Sequence, residues 1–220
     1  MKNKPSKIVR AFTIITGLPG AIPFFKTKKY YQSENSPRKL PKPCILVSNP
    51  ISLVDFVLYL FAFPFDDIRF LMAEVLFTRA KPLSWLLYKL GAIYVNRTGY
   101  DFSFVGEALE TLDGGGMVGI FPEGQLPVNG VPFPFKPSAT FIALKTDAPI
   151  VPVFTDGTYS FLKRTRMIIG DPIYLRDYAK SENPDEKELN ELTLLLHDKI
   201  YALGDELEKR KNDERKGKKG

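Results

Sequence analysis

From residue 44 onward, short apolar runs alternate with longer stretches in which apolar positions return at helical spacing. The short runs occupy 44–49, 68–73, 92–96, 117–121, 150–155 and 166–169. They are apolar at successive rather than alternate positions, which suits strands covered on both faces. Helical spacing predicts helices over 51–63, 83–90, 102–112 and 138–145, and Gly114-Gly115-Gly116 supplies the left-handed residue that closes the third. Alternation of this kind predicts an α/β fold: a single domain with a largely parallel central sheet flanked by helices. In such folds, ligand sites collect beyond the carboxyl ends of the strands.

The two ends of the chain carry different patterns. Asn183-Pro184-Asp185-Glu186 reads as a helix start, with asparagine as cap and proline in the first turn. Leu189, Leu192, Leu196, Ile200, Leu203 and Leu207 then share one face. Residues 209–220 are charged and contain glycine, which predicts a disordered tail, with binding to an anionic surface as the lesser reading. Near the other end, residues 11–25 hold no charge but are interrupted by Gly17, Pro19, Gly20 and Pro23. This run falls short of the roughly 20 apolar residues that span a bilayer, and its prolines disfavour an unbroken helix. No clear small-residue cleavage site follows before Lys26, as a secretory signal requires. The run therefore reads as an N-terminal membrane-associating helical segment, interfacial or re-entrant. A helix packed on the domain is the competing reading. Residues 32–42 are polar, with Pro37 and Pro41, and read as a connector. The predicted organisation is a membrane-associating arm and connector over 1–42, an α/β domain over 43–180, and a C-terminal helix with its tail over 181–220.

Charge sharpens the picture of the arm. The chain of 220 residues carries a net +6, yet the first 42 residues hold ten basic groups against Glu34 alone. A basic arm with an apolar interval favours a phospholipid surface over nucleic acid, for which no recognised motif is present. The expected location is the cytoplasmic side of a membrane, as a peripheral or monotopic protein. Cys44 is the one cysteine and His197 the one histidine, which excludes an internal disulfide and the usual histidine-based zinc sites. No metal is predicted.

Two segments just after predicted strands carry candidate chemistry: Asn49-Pro50-Ile51-Ser52-Leu53-Val54-Asp55 and Phe121-Pro122-Glu123-Gly124. Two more blocks accompany them, Gly91-Ala92-Ile93-Tyr94-Val95-Asn96-Arg97 and Ala148-Pro149-Ile150-Val151-Pro152-Val153. Phe135-Lys136-Pro137-Ser138-Ala139 and Gly170-Asp171-Pro172-Ile173 add flanking matches. In this order and at these intervals they resemble the signature blocks of the glycerolipid acyltransferases, the family typified by lysophosphatidate (1-acylglycerol-3-phosphate) acyltransferase. The resemblance implies transfer of a fatty acyl group to a lysophospholipid from a thioester donor, acyl-CoA or acyl-carrier protein, with no bound cofactor. It implies that Asn49, Ser52 and Asp55 form the catalytic segment, with Asp55 orienting a histidine base. Arg97 and Lys136 would meet the acceptor phosphate, and Glu123 and Gly124 would shape the acceptor site.

The chain departs from the family pattern at two places. Pro50 stands where the family has its catalytic histidine, and Gln125-Leu126 follow Phe-Pro-Glu-Gly where the family commonly has Thr-Arg. Asn49-Pro50 makes a good helix start, but proline is no base. General-base catalysis is typically worth about 10²–10⁴ in rate, and a carboxylate with a pKa of about 4 is a poor base for an alcohol. His197 falls on the boundary of the last helix's apolar face. Plainer local roles also exist: Asp55 as a polar residue at a helix start, Glu123 as a cap for neighbouring amides, Arg97 as a surface ion-pair partner and Lys136 as a solvated lysine. Two functions remain open on these residues, a weakened acyltransferase and a non-catalytic membrane-associated lipid-binding protein, a pseudoenzyme on the same fold.

Overall fold

The computed structural model of the protein describes residues 5–53, 55–97, 101–160 and 163–217, with 18–24 as backbone only. Lys2 and Lys4 of the basic arm and the last three residues of the tail lie outside them. The chain opens with helix α1 (Lys7–Phe25), followed by strand β1 (Thr27–Tyr31) and β2 (Cys44–Ser48). Then come α2 (Asp55–Ala62), β3 (Ile68–Ala73), α3 (Glu74–Thr78), α4 (Lys81–Lys89), β4 (Ile93–Val95), α5 (Ser103–Asp113) and β5 (Met117–Ile120). Helix α6 (Ser138–Lys145), β6 (Ile150–Thr155), β7 (Thr165–Ile169), a 3₁₀ turn (Leu175–Tyr178) and α7 (Glu186–Gly217) complete it.

The strands form one sheet in the order β1-β7-β6-β2-β5-β3-β4. Its five strands from β6 to β4 are parallel; β7 runs antiparallel to β6, and β1 lies parallel to β7 at the edge. The central strands are apolar on both faces because both are covered. Ile45, Val47, Val118 and Ile150 meet α5, α6 and α7, whereas Cys44, Leu46, Val151 and Val153 meet α2 and the elements beside it. Neighbouring residues thus feed opposite layers of a three-layer α/β/α fold. Gly119 sits inside this packing. A Cβ there would lie 2.3 Å from Phe70 Cε1, and the Phe70 ring is itself stacked on Phe121 at 5.4 Å.

The predicted α/β class and its largely parallel sheet are found, while the organisation of the ends is not as expected. Within the predicted arm, Thr27–Tyr31 forms β1 and completes the sheet at its edge. Helix α1 continues through Pro19 and Pro23, because tertiary anchoring outweighs local propensity. Its Ser6 N–H donates to Lys89 O at 2.9 Å, the buried Arg10 guanidinium donates to the carbonyls of Phe63 and Asp66, and Gly17 closes on the Phe61 ring. Two more cations of the basic arm are engaged by the body: Lys29 donates to Ala62 O at 2.6 Å, and the partly exposed Lys28 pairs with Glu214. Lys7, Lys26, Arg38 and Lys39 stay exposed. One side of α1 carries large exposed apolar groups, Ile8 (83%), Phe12 (66%) and Ile15 (68%). Among the described residues, no helix is long and apolar enough to cross a membrane.

The tail expected to be disordered is helical as far as Gly217. Tyr30 OH donates to Glu214 at 2.5 Å and Arg210 donates to Gln32 O at 3.3 Å, so charges that look solvated in sequence are tied to β1 and the turn after it. The polar connector is also held down, with Ser33 and Ser36 hydroxyls donating to Asp171 at 2.8 and 2.6 Å.

The tight contact at Gly119 yields a stability test. Gly119→Ala is expected to cost about 1–3 kcal/mol in urea unfolding, the usual range for an overpacked core. Combined with Phe70→Leu, it should cost less than the sum of the two single changes, because the shorter side chain makes room for the added methyl.

Candidate active site

Where β2 ends, the chain turns under the control of two side chains. Asn49 is buried, and its amide brackets the backbone of Thr155: Oδ1 accepts Thr155 N–H at 2.9 Å and Nδ2 donates to Thr155 O at 3.0 Å. This pairing fastens the end of β2 to the end of β6. It also takes Asn49 out of any capping role, so α2 begins at Asp55 rather than at residue 51. Pro50 lies in the intervening loop instead of a first helical turn.

Asp55, 1% exposed, folds its carboxylate back over that loop. Oδ2 accepts Ile51 N–H at 2.6 Å and Ser52 N–H at 2.8 Å, and Oδ1 accepts the hydroxyl of Tyr159. Burial pushes this carboxyl above its usual pKa of 3.8, against the pull of the three donors. The same burial, beside the Asp55 charge, drives the Tyr159 phenol far up, so Tyr159 is a hydrogen-bond donor there and not a base. Tyr159 belongs to the loop after β6. That loop approaches through Gly157, at φ +59°, where a Cβ would lie 2.4 Å from the Ile51 side chain.

The Phe121-Pro122-Glu123-Gly124 turn follows β5 and is built in a similar way. Gly124 takes φ +68°, and a Cβ there would meet the stem of Lys136 at 3.1 Å. Lys136 N–H donates to Pro122 O at 2.8 Å, which sets this lysine over the turn. Glu123, also 1% exposed, points inward. Its Oε2 accepts Phe133 N–H at 2.9 Å and its Oε1 accepts Tyr201 OH from α7 at 2.5 Å. His197 packs its ring on Phe135 and Tyr201, at centroid distances of 4.9 and 4.6 Å, rather than on Asp55. The buried Cys44 thiol is pushed up to about 12 by desolvation and is inert as a nucleophile.

Between these two turns opens a cavity of about 830 Å³ at the carboxyl edge of the sheet. Its walls are mostly apolar, with Phe56, Leu71, Leu76, Val105, Phe121 and Leu189 among them. Of the residues predicted from sequence, the cavity gathers Pro50, Ser52, Arg97, Gly124 and Lys136. Asn49, Asp55 and Glu123 are absent from its lining: each spends its polar atoms on backbone or tyrosine partners behind the wall. In these contacts Asp55 holds amides at a helix start and Glu123 an amide and a phenol, and both carboxylates act on the cavity through the turns they fix. Arg97 and Lys136 are both exposed, and Arg97 lies in the field of Glu74. Among the described residues, no group of histidine, cysteine or carboxylate side chains could hold a metal ion.

Sequence reading missed Tyr159, Gly157 and Tyr201. The first two sit in Asp156-Gly157-Thr158-Tyr159, a turn signal directly after a predicted strand on the edge where sites collect. Tyr201 follows Ile200 at the border of the leucine face, a position that pattern alone does not distinguish.

A family model described as Acyltransferase matches residues 28–156. Human 1-acyl-sn-glycerol-3-phosphate acyltransferase beta is 30% identical over 151 residues, covering 63% of this chain and 52% of that protein. The chain thus spans about half the length of that relative. A 1-acyl-sn-glycerol-3-phosphate acyltransferase of Borreliella burgdorferi is 30% identical over 175 residues, 76% of this chain and 68% of that one. The crystal structure of the 1-acyl-sn-glycerophosphate (LPA) acyltransferase of Thermotoga maritima superposes with a TM-score of 0.59 at 23% identity, covering 90% of this chain and 79% of that one, and shares its fold.

The buried carboxylate gives a pH test. Because the folded-state value of Asp55 lies above 3.8, the stability it contributes is full below that value. It declines as the pH climbs through the folded-state value and is level thereafter. Asp55→Asn does not titrate, so as the pH rises above 3.8 the melting temperature of the wild type should fall relative to this variant. Circular dichroism melts read the difference; a gap moving the opposite way contradicts the assignment.

Proposed function

The chain belongs to the glycerolipid acyltransferase family, as a lysophosphatidate acyltransferase-like member, and on that premise we propose that it acylates a lysophospholipid slowly. The observation that carries this reading is the cavity. Its apolar walls suit an acyl chain, and Arg97 and Lys136 on the same lining suit a phosphate. In the reaction, the acceptor hydroxyl oxygen attacks the thioester carbonyl carbon, a C–O bond forms and the C–S bond breaks. The hydroxyl proton ends on the departing sulfur. The donor is an acyl-CoA or an acyl-carrier protein, and no cofactor enters the balance. The family's histidine base is replaced by Pro50, and His197 is not in the cavity lining. Rate therefore comes from holding donor and acceptor together and from charge stabilisation, without the factor of about 10²–10⁴ that a general base supplies.

A second reading, lipid binding without turnover, draws on a different observation. Asp55 and Glu123 have their oxygens occupied outside the cavity lining, and Asp101 on that lining is held below the usual carboxylate range by the Ser103 amide, which makes it a poor base and favours binding over proton transfer. Purified protein mixed with lysophosphatidate and acyl-CoA, or acyl-carrier protein, separates the two. Slow ester formation is expected, with Lys136→Ala and Arg97→Ala each lowering kcat/KM about tenfold, the scale of one lost charge-assisted contact. Lysophosphatidate binding with no ester from either donor would establish the second reading.

The acceptor and product are membrane lipids, and we place the protein peripherally on the cytoplasmic face of a membrane. Ile8, Phe12 and Ile15 on the outer side of α1, with Lys7 and Lys26 exposed at its ends, support that placement. The organisation into domains follows from it, with α1 as the membrane-associating element and the sheet with α7 as the body. Replacing all three apolar residues by serine should weaken sedimentation with anionic vesicles at least about tenfold, since each buried side chain contributes about 1.5–3 kcal/mol. Unchanged sedimentation would remove α1 from the membrane contact.

A further inference from the structure

The loop after β6 carries a phenol that the acyl-transfer reading leaves unused. Tyr159 OH donates to Asp55 Oδ1, while Oδ2 of the same carboxylate is taken by the amides of Ile51 and Ser52 at 2.6 and 2.8 Å. With Asp55 at 1% exposure, this triad occupies both oxygens and leaves no approach from water. Asp55 is also the residue that, by family pattern, orients a histidine at position 50. Oδ1 keeps a second lone pair, but at 1% exposure an imidazole could reach it only by displacing what packs over it, the Tyr159 phenol first.

We propose that Tyr159 is a positioning residue occupying the seat beside Asp55 that a base would need, so that this carboxylate now fastens two loops instead of serving a catalytic pair. The seat is built by three separate elements. The Tyr159 ring packs on Phe25 at the end of α1, at 5.6 Å between centroids. Tyr159 N–H donates to Gly157 O at 2.9 Å, and Gly157 lets the loop close on Ile51. Asn49 holds the start of the same loop through Thr155. The phenol is therefore aimed at Asp55 by packing on one side and backbone on the other. It follows that a histidine at position 50 would compete with Tyr159 for Asp55 Oδ1 and be poorly oriented while Tyr159 keeps its hydroxyl.

Full-length Pro50→His, Tyr159→Phe and the double variant test this directly, with the imidazole at position 50 titrated by NMR and acyl transfer to lysophosphatidate assayed in parallel. In Pro50→His the new imidazole should feel the Asp55 charge without a direct bond to it, and its titration there is the reference. In the double variant it should rise by about one unit or more, because the freed carboxylate favours the imidazolium. Arg97, Lys136 and Asp156 are common to both variants, so the comparison cancels their influence. Acyl transfer should rise about 10²–10⁴-fold from Pro50→His to the double variant. An imidazole raised as far in Pro50→His alone overturns the proposal. A raised value confined to the double variant, with transfer flat in both, upholds the role of Tyr159 and counts against the acyl-transfer reading, on which only the activity measurement rests. If Pro50→His fails to fold, Tyr159→Phe decides: the Asp55 carboxyl should titrate higher than in wild type, and an unchanged titration overturns the proposal.

Discussion

Asp55 is a carboxylate with almost no water around it, and the donors that make this tolerable come from two loops distant in sequence. Ile51 and Ser52 offer backbone amides from one side, and Tyr159 offers a phenol from the other. An unpaired charge at this depth would be strongly destabilising, so the two loops are held in the one arrangement that satisfies it. Asn49 adds a second clasp through the Thr155 backbone, and the Ile51–Gly157 contact a third. Phe25 then carries the end of α1 onto Tyr159. The carboxyl edge of β2 and β6, the first turn of α2 and the inner end of α1 share one set of interactions.

Glu123 repeats the device on the neighbouring strand. Its carboxylate joins the turn after β5 to the backbone at Phe133 and to Tyr201 of α7. Each signature carboxylate is thus paired with a tyrosine from outside its own block. The cavity lies between these two fixed turns, with its walls set by groups that do not face it. Its polar character comes instead from Ser52, Arg97, Lys136 and a few neighbours, around an apolar interior of about 830 Å³. The lining thus combines apolar walls with two exposed cations, Arg97 and Lys136.

Several features were legible without coordinates because they depend on near neighbours in the chain. Six strands and the helices over 83–90, 102–112 and 138–145 follow from apolar spacing, and the blocks after β2 and β5 lie at strand ends as that spacing implies. Strand β1 was missed because Thr-Lys-Lys-Tyr-Tyr lacks the apolar run of the central strands; it lies at an edge, where its lysines reach Glu214 and Ala62 O. The end of α7 was misread for a related reason. A charged run looks solvated until the strand that receives its charges is in place.

The order of residues along the chain established the family, the alternation of strand and helix, and a proline at position 50 of the first block, since each is a property of contiguous segments. It could not establish where Asn49, Asp55 and Glu123 point. Asn49 finds its partner 106 residues away, Asp55 finds Tyr159 104 residues away, and Glu123 finds Tyr201 at 78. Those pairings exist only once the sheet brings the ends of β2, β5 and β6 side by side and α7 packs across them. Burial then removes the competing water, and a buried polar group turns to the nearest donor the fold supplies.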